Sequence, residues 1–129
     1  MKEPKRILQV VNYMGRGGLE TMLMNYYRNI DREKIQFDFL VHRKEEQVYD
    51  KEILQLGGKI HHMPKLNPYS KNYLQKIDEF FMKNAYGIVH SHYDCMSATP
   101  LKYAIKNGVK NTIAHAHSSN QDLDAKYLF

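Results

Sequence analysis

At 129 residues the chain is the size of one domain, large enough for a real core but small for a complete two-substrate enzyme. With 43% hydrophobic and 26% charged residues it has the composition of a soluble globular protein, which excludes a disordered chain. The formal net charge of +5 is spread along the sequence, with no basic helix face, zinc-finger or RNP pattern, and this argues against nucleic acid as a partner.

The one cysteine, Cys95, allows no intrachain disulfide and suits a reducing, cytoplasmic setting. The first apolar run, Ile7 to Val11 broken by Gln9, is too short for the core of a secretory signal. No stretch approaches the ~18 to 20 apolar residues that a membrane-spanning helix needs.

In chain order, Arg6 to Asn12 reads as a short buried strand that ends in a glycine-rich turn. Leu19, Met22, Leu23, Tyr26, Tyr27 and Ile30 then recur at helical spacing and predict one buried helix face. "IQFDFLVH", Ile35 to His42, is the second strand, and "EEQVYDKEILQLGG" the second helix, with Tyr49, Ile53 and Leu56 inward and a stop at Gly57 or Gly58. "KIHHMP" is the third strand, closed by Pro64. The spacing predicts a third helix from about Ser70, with Tyr73, Leu74, Ile77, Phe80 and Phe81 inward. "GIVHSH" is the fourth strand. A fourth helix spans Met96 to Asn107, with Leu101, Ala104 and Ile105 apolar and Gly108 as its cap, before a fifth strand, "NTIAHAHS".

Strands and helices alternate every 20 to 30 residues or so, which is the signature of βαβ units, a parallel sheet and right-handed crossovers. The fold class is therefore α/β: a doubly wound, Rossmann-like parallel sheet. The chain is read as a single domain, residues 1–129, and its ending, "NQDLDAKYLF", looks like a cut inside a longer protein. Ligands of open α/β sheets sit beyond the carboxyl ends of the strands. That selects Tyr13 to Gly18, His42, His61, His62, His90 to Asp94, and His115 to Asn120.

Gly15, Gly17 and Gly18 lie between a strand and a helix, the context of an anion-binding loop. A dinucleotide fingerprint would place its third glycine where Glu20 stands, and the second strand ends in Val41 and His42 instead of a ribose-binding acid. No Gly-Lys-Ser/Thr follows either. Two readings remain: glycines that permit positive φ in a tight turn, or a side-chain-free approach to a ligand.

"HSH" (His90, His92) and "HAH" (His115, His117) fall at strand ends, where residues i and i+2 point to one side and neighbouring strands bring the pairs together. His-x-His is a metal-ligand spacing, and "HSHYD" matches the first five positions of the His-x-His-x-Asp-His signature of metallo-β-lactamase-type hydrolases, with Cys95 at the sixth. Neutral imidazoles that donate to a sugar or phosphate are the other reading. His42, His61 and His62 read as solvated strand-end histidines. Ser118, Ser119 and Asn120 are N-cap types, and a Ser118–His92–Asp94 triad lacks a nucleophile elbow.

The strand ending in "GRGGLE", the fourth strand "YGIVHSHY" and the fifth "NTIAHAHSSN" together resemble the N-terminal domain of family 4 glycosyltransferases, the retaining GT-B type, in the flavour of bacterial capsular and exopolysaccharide enzymes. The resemblance runs from Arg6 to about Asn120. It implies two Rossmann-like domains across a cleft, of which this one holds the acceptor and a C-terminal one, absent here, holds the nucleotide-diphosphate sugar. Gly17 and Gly18 would then approach the donor. The family's Thr-x-His pattern maps onto His115 and His117, with His117 nearest the reacting sugar and His115 on the donor. Tyr13, His92 and Ser118 would face the acceptor, and Glu20 would brace the glycine turn.

The implied chemistry is retaining transfer with no metal and no cofactor, to a glycan or polyprenyl-diphosphate-linked acceptor. The expected location is cytoplasmic, with peripheral contact at the inner membrane face. Without the C-terminal domain the chain is expected to fold but not to turn over. The alternatives are a metal-dependent hydrolase built on the His-x-His pairs, and a non-catalytic nucleotide-binding α/β module.

Overall fold

The computed structural model describes residues 3–115. Its elements are β1 (Lys5–Val11), α1 (Gly18–Asn29), β2 (Ile35–Val41), α2 (Asp50–Gln55), β3 (Ile60–His62), α3 (Lys71–Lys83), β4 (Ile88–Ser91), α4 (Ala98–Lys106) and β5 (Asn111–Ala114). The five strands pair in parallel in the order β3-β2-β1-β4-β5, the doubly wound Rossmann-like sheet that the alternation predicts. β1 is central. It pairs with β2 along its whole length, from Lys5↔Ile35 to Val11↔Val41, and with β4 from Ile7↔Ile88 to Val10↔Ser91.

Side chains alternate across the sheet, so each strand feeds two cores. On one face Val11, Phe37, Phe39 and Val41 meet Leu23, Met24 and Tyr27 of α1 and Ile53 of α2. On the other, Leu8, Val10, Leu40 and Val89 meet Tyr73, Ile77 and Phe81 of α3 and Leu101 and Ala104 of α4. Ser70 caps α3, its Oγ accepting the Tyr73 N–H at 3.2 Å. Gly57 (φ +98°) and Gly108 (φ +95°) end α2 and α4 in the left-handed conformation that glycine adopts without strain.

Two helices sit differently from their sequence patterns. In α1 the buried residues are Glu20, Leu23, Met24 and Tyr27, while Tyr26 is 60% exposed and Met22 half-buried. Two overlapping stripes coexist in that helix, and Tyr27 decides between them. Its ring stacks on Phe37 at 5.3 Å and its hydroxyl donates to Gln36 Oε1 at 2.5 Å. The fourth helix is split: a 3-10 turn over Asp94–Ser97 precedes α4, and the Ser97 hydroxyl lies 2.8 Å from that of Ser91. Ile105, expected inward, is 57% exposed. β5 ends at Ala114, and the rest of the expected fifth strand beyond His115 lies outside the described residues.

The sheet also carries a buried charge. Asp38, in the middle of β2, is fully buried. Its Oδ1 accepts Arg6 Nη1 at 2.7 Å and the Lys59 N–H at 3.0 Å, and its Oδ2 accepts the Tyr86 hydroxyl at 2.7 Å. Desolvation of a carboxylate is tolerable only with such a full set of donors. Asp38→Ala leaves the Lys59 N–H without its acceptor and takes one from Arg6 and Tyr86, so it is expected to cost about 3 kcal/mol in urea unfolding. A loss under about 1 kcal/mol would show that the network contributes little.

Candidate functional site

β1 and β4 are neighbours, yet the chain leaves β1 toward α1 on one face of the sheet and leaves β4 toward α4 on the other. The loops part above this pair and open a crevice at the topological switch point. Tyr13 to Gly18 and His90 to Asp94 stand on its two sides.

None of the turn's glycines needs its conformational freedom. Among the described residues the glycines with positive φ are Gly57 and Gly108, which overturns the tight-turn reading for Gly17 and Gly18. Gly17 is extended (φ −74°, ψ 172°) and is the N-cap of α1, its carbonyl accepting the Thr21 N–H at 3.0 Å. What it lacks is room: an added Cβ would run into the carboxylate of Glu20, which is folded back and buried. At Gly15 the obstacle is the Tyr13 ring. Gly18 differs: among the described residues, its chain neighbours and own helix backbone aside, nothing lies within 4 Å of the Cβ it lacks. Its open side faces a groove of about 690 Å³ lined by Arg16, Gly17, Thr21, Asn25 and Tyr26 among others. The turn is anchored from below by Met14, which is buried and donates its N–H to Gln47 Oε1. The Tyr13 ring lies under the Arg43 guanidinium at 4.6 Å.

A second hollow, about 410 Å³, opens beyond the ends of β1, β2 and β3, with Asn12, Arg43, Lys44, Glu45 and Lys65 in its wall. Three cations against one carboxylate give it a positive field.

The histidine pairs converge as the strand spacing predicts, as far as the structure describes them. The His115 N–H donates to the Ser91 carbonyl at 2.9 Å and extends the β4–β5 ladder by one residue. Ring centroids are 4.0 Å apart for His90 and His92, 5.5 Å for His90 and His115, and 5.7 Å for His92 and His115. His92 is buried, and its Nε2 meets Gln9 Oε1 at 2.7 Å. Because that oxygen can only accept, the Nε2–H donates to it. Asp94 opens the 3-10 turn at φ 53°, and the three residues whose ligand atoms lie within 4.8 Å of one another are His90, His92 and His115. His117 and Ser118 lie outside the described residues.

The remaining histidines correct the solvated reading in two cases of three. His42 is 2% exposed. Its Nδ1–H donates to the Val11 carbonyl at 2.9 Å, its Nε2 accepts the Tyr73 hydroxyl at 2.8 Å, and the Tyr93 ring meets it edge-on. Burial lowers its pKa to about 4, so it is neutral and clamps the ends of β1 and β2. His61 is half-buried, its Nε2 3.0 Å from the Tyr86 hydroxyl; burial lowers its pKa too, against the pull of Asp38. His62 is exposed, as expected, and donates to the Arg43 carbonyl at 2.7 Å. Sequence reasoning missed Gln9 and Arg43. Gln9 had a signal, a lone amide in an apolar central strand; Arg43 had none.

The chain is 37% identical over 120 residues to a provisionally named glycosyltransferase, EpsF, of Bacillus subtilis (strain 168). The match takes in 90% of this chain and 31% of that protein, so the chain spans about a third of the relative's length. No protein-family model matches the chain. Among solved structures it resembles the C-terminal domain of a hydrogenase from Pyrococcus furiosus, with a TM-score of 0.55 and 14% identity over 88% of this chain and 92% of that one. That likeness is one of fold alone. Among the described residues no helix is long and apolar enough to cross a membrane.

His42 sets a pH dependence of stability. Its folded pKa, about 4, lies below the ordinary 6.5, so protonation favours the unfolded chain. The stabilisation is complete above pH 6.5 and is lost as pH falls toward 4, by about 3 kcal/mol in total. Urea midpoints across that window should fall less steeply with acid in His42→Gln than in the parent; equal slopes would show that His42 does not titrate this way.

Proposed function

We propose that the chain is the acceptor-side, Rossmann-like domain of a family 4, retaining GT-B glycosyltransferase in capsular or exopolysaccharide synthesis. The observation that carries this reading is the match to EpsF along 90% of the chain. The open approach at Gly18, on the first turn of α1 at the switch point, supports it.

In this reading the α1 N-terminus and the side-chain-free surface at Gly17 and Gly18 receive the diphosphate or sugar of a nucleotide-diphosphate sugar. Backbone dipoles and cationic groups stabilise the departing diphosphate, so transfer requires neither metal nor cofactor. His117 stands at the reacting sugar and His115 on the donor, while Tyr13, His92 and Ser118 face the acceptor. The positive hollow at Arg43, Lys44 and Lys65 suits an acceptor with negative charge, such as a polyprenyl-diphosphate-linked glycan. The donor's other contacts belong to a second domain, and residues 1–129 alone do not turn over. The protein works in the cytoplasm, with peripheral contact at the inner membrane face.

Two substitutions test the glycine assignment in a protein that carries both domains. Gly18→Ala meets no packing neighbour among the described residues and should leave stability unchanged or raise it by up to about 1 kcal/mol. The same change should lower kcat/KM for the sugar donor about tenfold or more, because the methyl group occupies the ligand's path. Gly17→Ala displaces only the far end of the flexible Glu20 side chain and should change stability little. Unchanged transfer in a stable Gly18→Ala protein would remove this residue from the donor site. Reversing charge with Lys65→Glu should raise KM for an anionic acceptor and leave KM for the donor as it was; equal effects on both would refute an acceptor role.

A further inference from the structure

We propose, resting on the reading of the glycine turn as the donor site, that Gln47 is a positioning residue for the donor's diphosphate. It is seated by Asp50 and acts on the turn through the Met14 amide. Gln47 lines neither the groove beside Gly18 nor the positive hollow.

The need for such a residue begins where β1 ends. The chain leaves the sheet after Asn12, whose carbonyl still accepts the His42 N–H at 2.8 Å. Met14 follows, fully buried in the core that holds Val11, Leu23 and Met24. A buried backbone N–H with no strand beside it needs an acceptor. Gln47 brings one from 33 residues away, its Oε1 accepting the Met14 N–H.

Gln47 is itself fixed. Its N–H donates to Asp50 Oδ2 at 2.9 Å and its carbonyl accepts the Asp50 N–H at 3.1 Å, a closed pair at the start of α2. Asp50 is buried, and α2 is tied to α1 in turn. The Arg28 guanidinium donates to Glu52 Oε1 at 2.7 Å, and the Tyr49 hydroxyl lies 3.4 Å from Thr21 Oγ1 on the first turn of α1. One segment, residues 47–52, thus grips the turn at Met14, where it starts, and α1 at Thr21, just after the turn ends.

Between those two points the N–H groups of Gly15, Arg16, Gly17 and Gly18 make no hydrogen bond among the described residues. A run of free N–H groups leading into a helix is a receptor for an oxyanion. Three of these four residues are glycines, which have the most backbone freedom to lose on binding. That loss subtracts from affinity, so a residue that orders the turn beforehand strengthens anion binding without touching the anion.

The test uses the 129-residue chain labelled with nitrogen-15, with inorganic diphosphate as the probe and amide resonances as the readout. In the parent, Gly17 and Gly18 should shift as diphosphate is added, and the Met14 amide should exchange slowly with solvent. Gln47→Met and Gln47→Ala both remove the acceptor. Each should speed Met14 exchange about tenfold or more and weaken the affinity read at Gly17 and Gly18 about tenfold. Affinity read at Lys44 and Lys65, in the positive hollow, should stay as in the parent, a split that general loosening of the fold would not give. Gln47→Glu retains an oxygen at the same reach and should keep Met14 exchange slow. Urea midpoints close to the parent's identify variants that remain folded. Unchanged affinity at Gly17 and Gly18 in a folded Gln47→Met or Gln47→Ala protein, or Met14 exchange as slow as the parent's, overturns the role of Gln47 and leaves the donor reading standing. No shift of Gly17 and Gly18 in the parent at about 10 mM diphosphate overturns both.

Discussion

The position of β1 between β2 and β4 is the constraint on which the rest of the molecule depends. A parallel strand that is central must be apolar on both faces, because helices cover the sheet on both sides. Leu8 and Val10 serve one core, Ile7 and Val11 the other. Right-handed crossovers then send the chain from β1 and from β4 to opposite faces, so their loops cannot close over one another. The crevice follows from the strand order before any side chain in it is chosen. Whatever ligand the protein takes, this is where backbone N–H groups and strand-end side chains are already gathered.

The two sides of that crevice are built on different principles. The β1 side removes side chains: its turn is held from below by Met14 and Gln47 and leaves Gly18 bare toward the groove. The β4 side adds them, packing imidazoles at centroid distances of 4.0 to 5.7 Å on a rigid ladder. Imidazoles so placed can serve hydroxyl recognition.

Strand and helix identities were legible because period-2 and helical spacings differ so clearly, and the C-cap glycines at Gly57 and Gly108 marked their helix ends correctly. Element orientation was less legible. Met22–Tyr26 and Leu23–Tyr27 are equally good helical stripes, and the choice falls to a contact with Phe37 and Gln36 that no local pattern encodes. The glycine turn showed a similar limit. Glycine in sequence says that a side chain is unwelcome, but whether for φ or for space is a property of neighbours such as Glu20 and Tyr13. His42 looked like a surface residue because strand ends are often wet; the partners that bury it, Tyr73 and Tyr93, come from about thirty and fifty residues away. The histidine cluster could be anticipated, since strand order and the i, i+2 rule together bring the pairs side by side.

Asp38 bears on how the chain reaches this state. Its donors come from residues 6, 59 and 86, one before it and two well after, and from three separate βα units. A nascent sheet of β1 and β2 alone would have to bury a carboxylate with part of its shell missing, or leave that strand pair wet until the segment before β4 arrives. Either way, the first half of the sheet has little stability to gain by itself. The charge thus couples early and late parts of the chain into one cooperative transition, at the expense of folding speed that long-range closure entails.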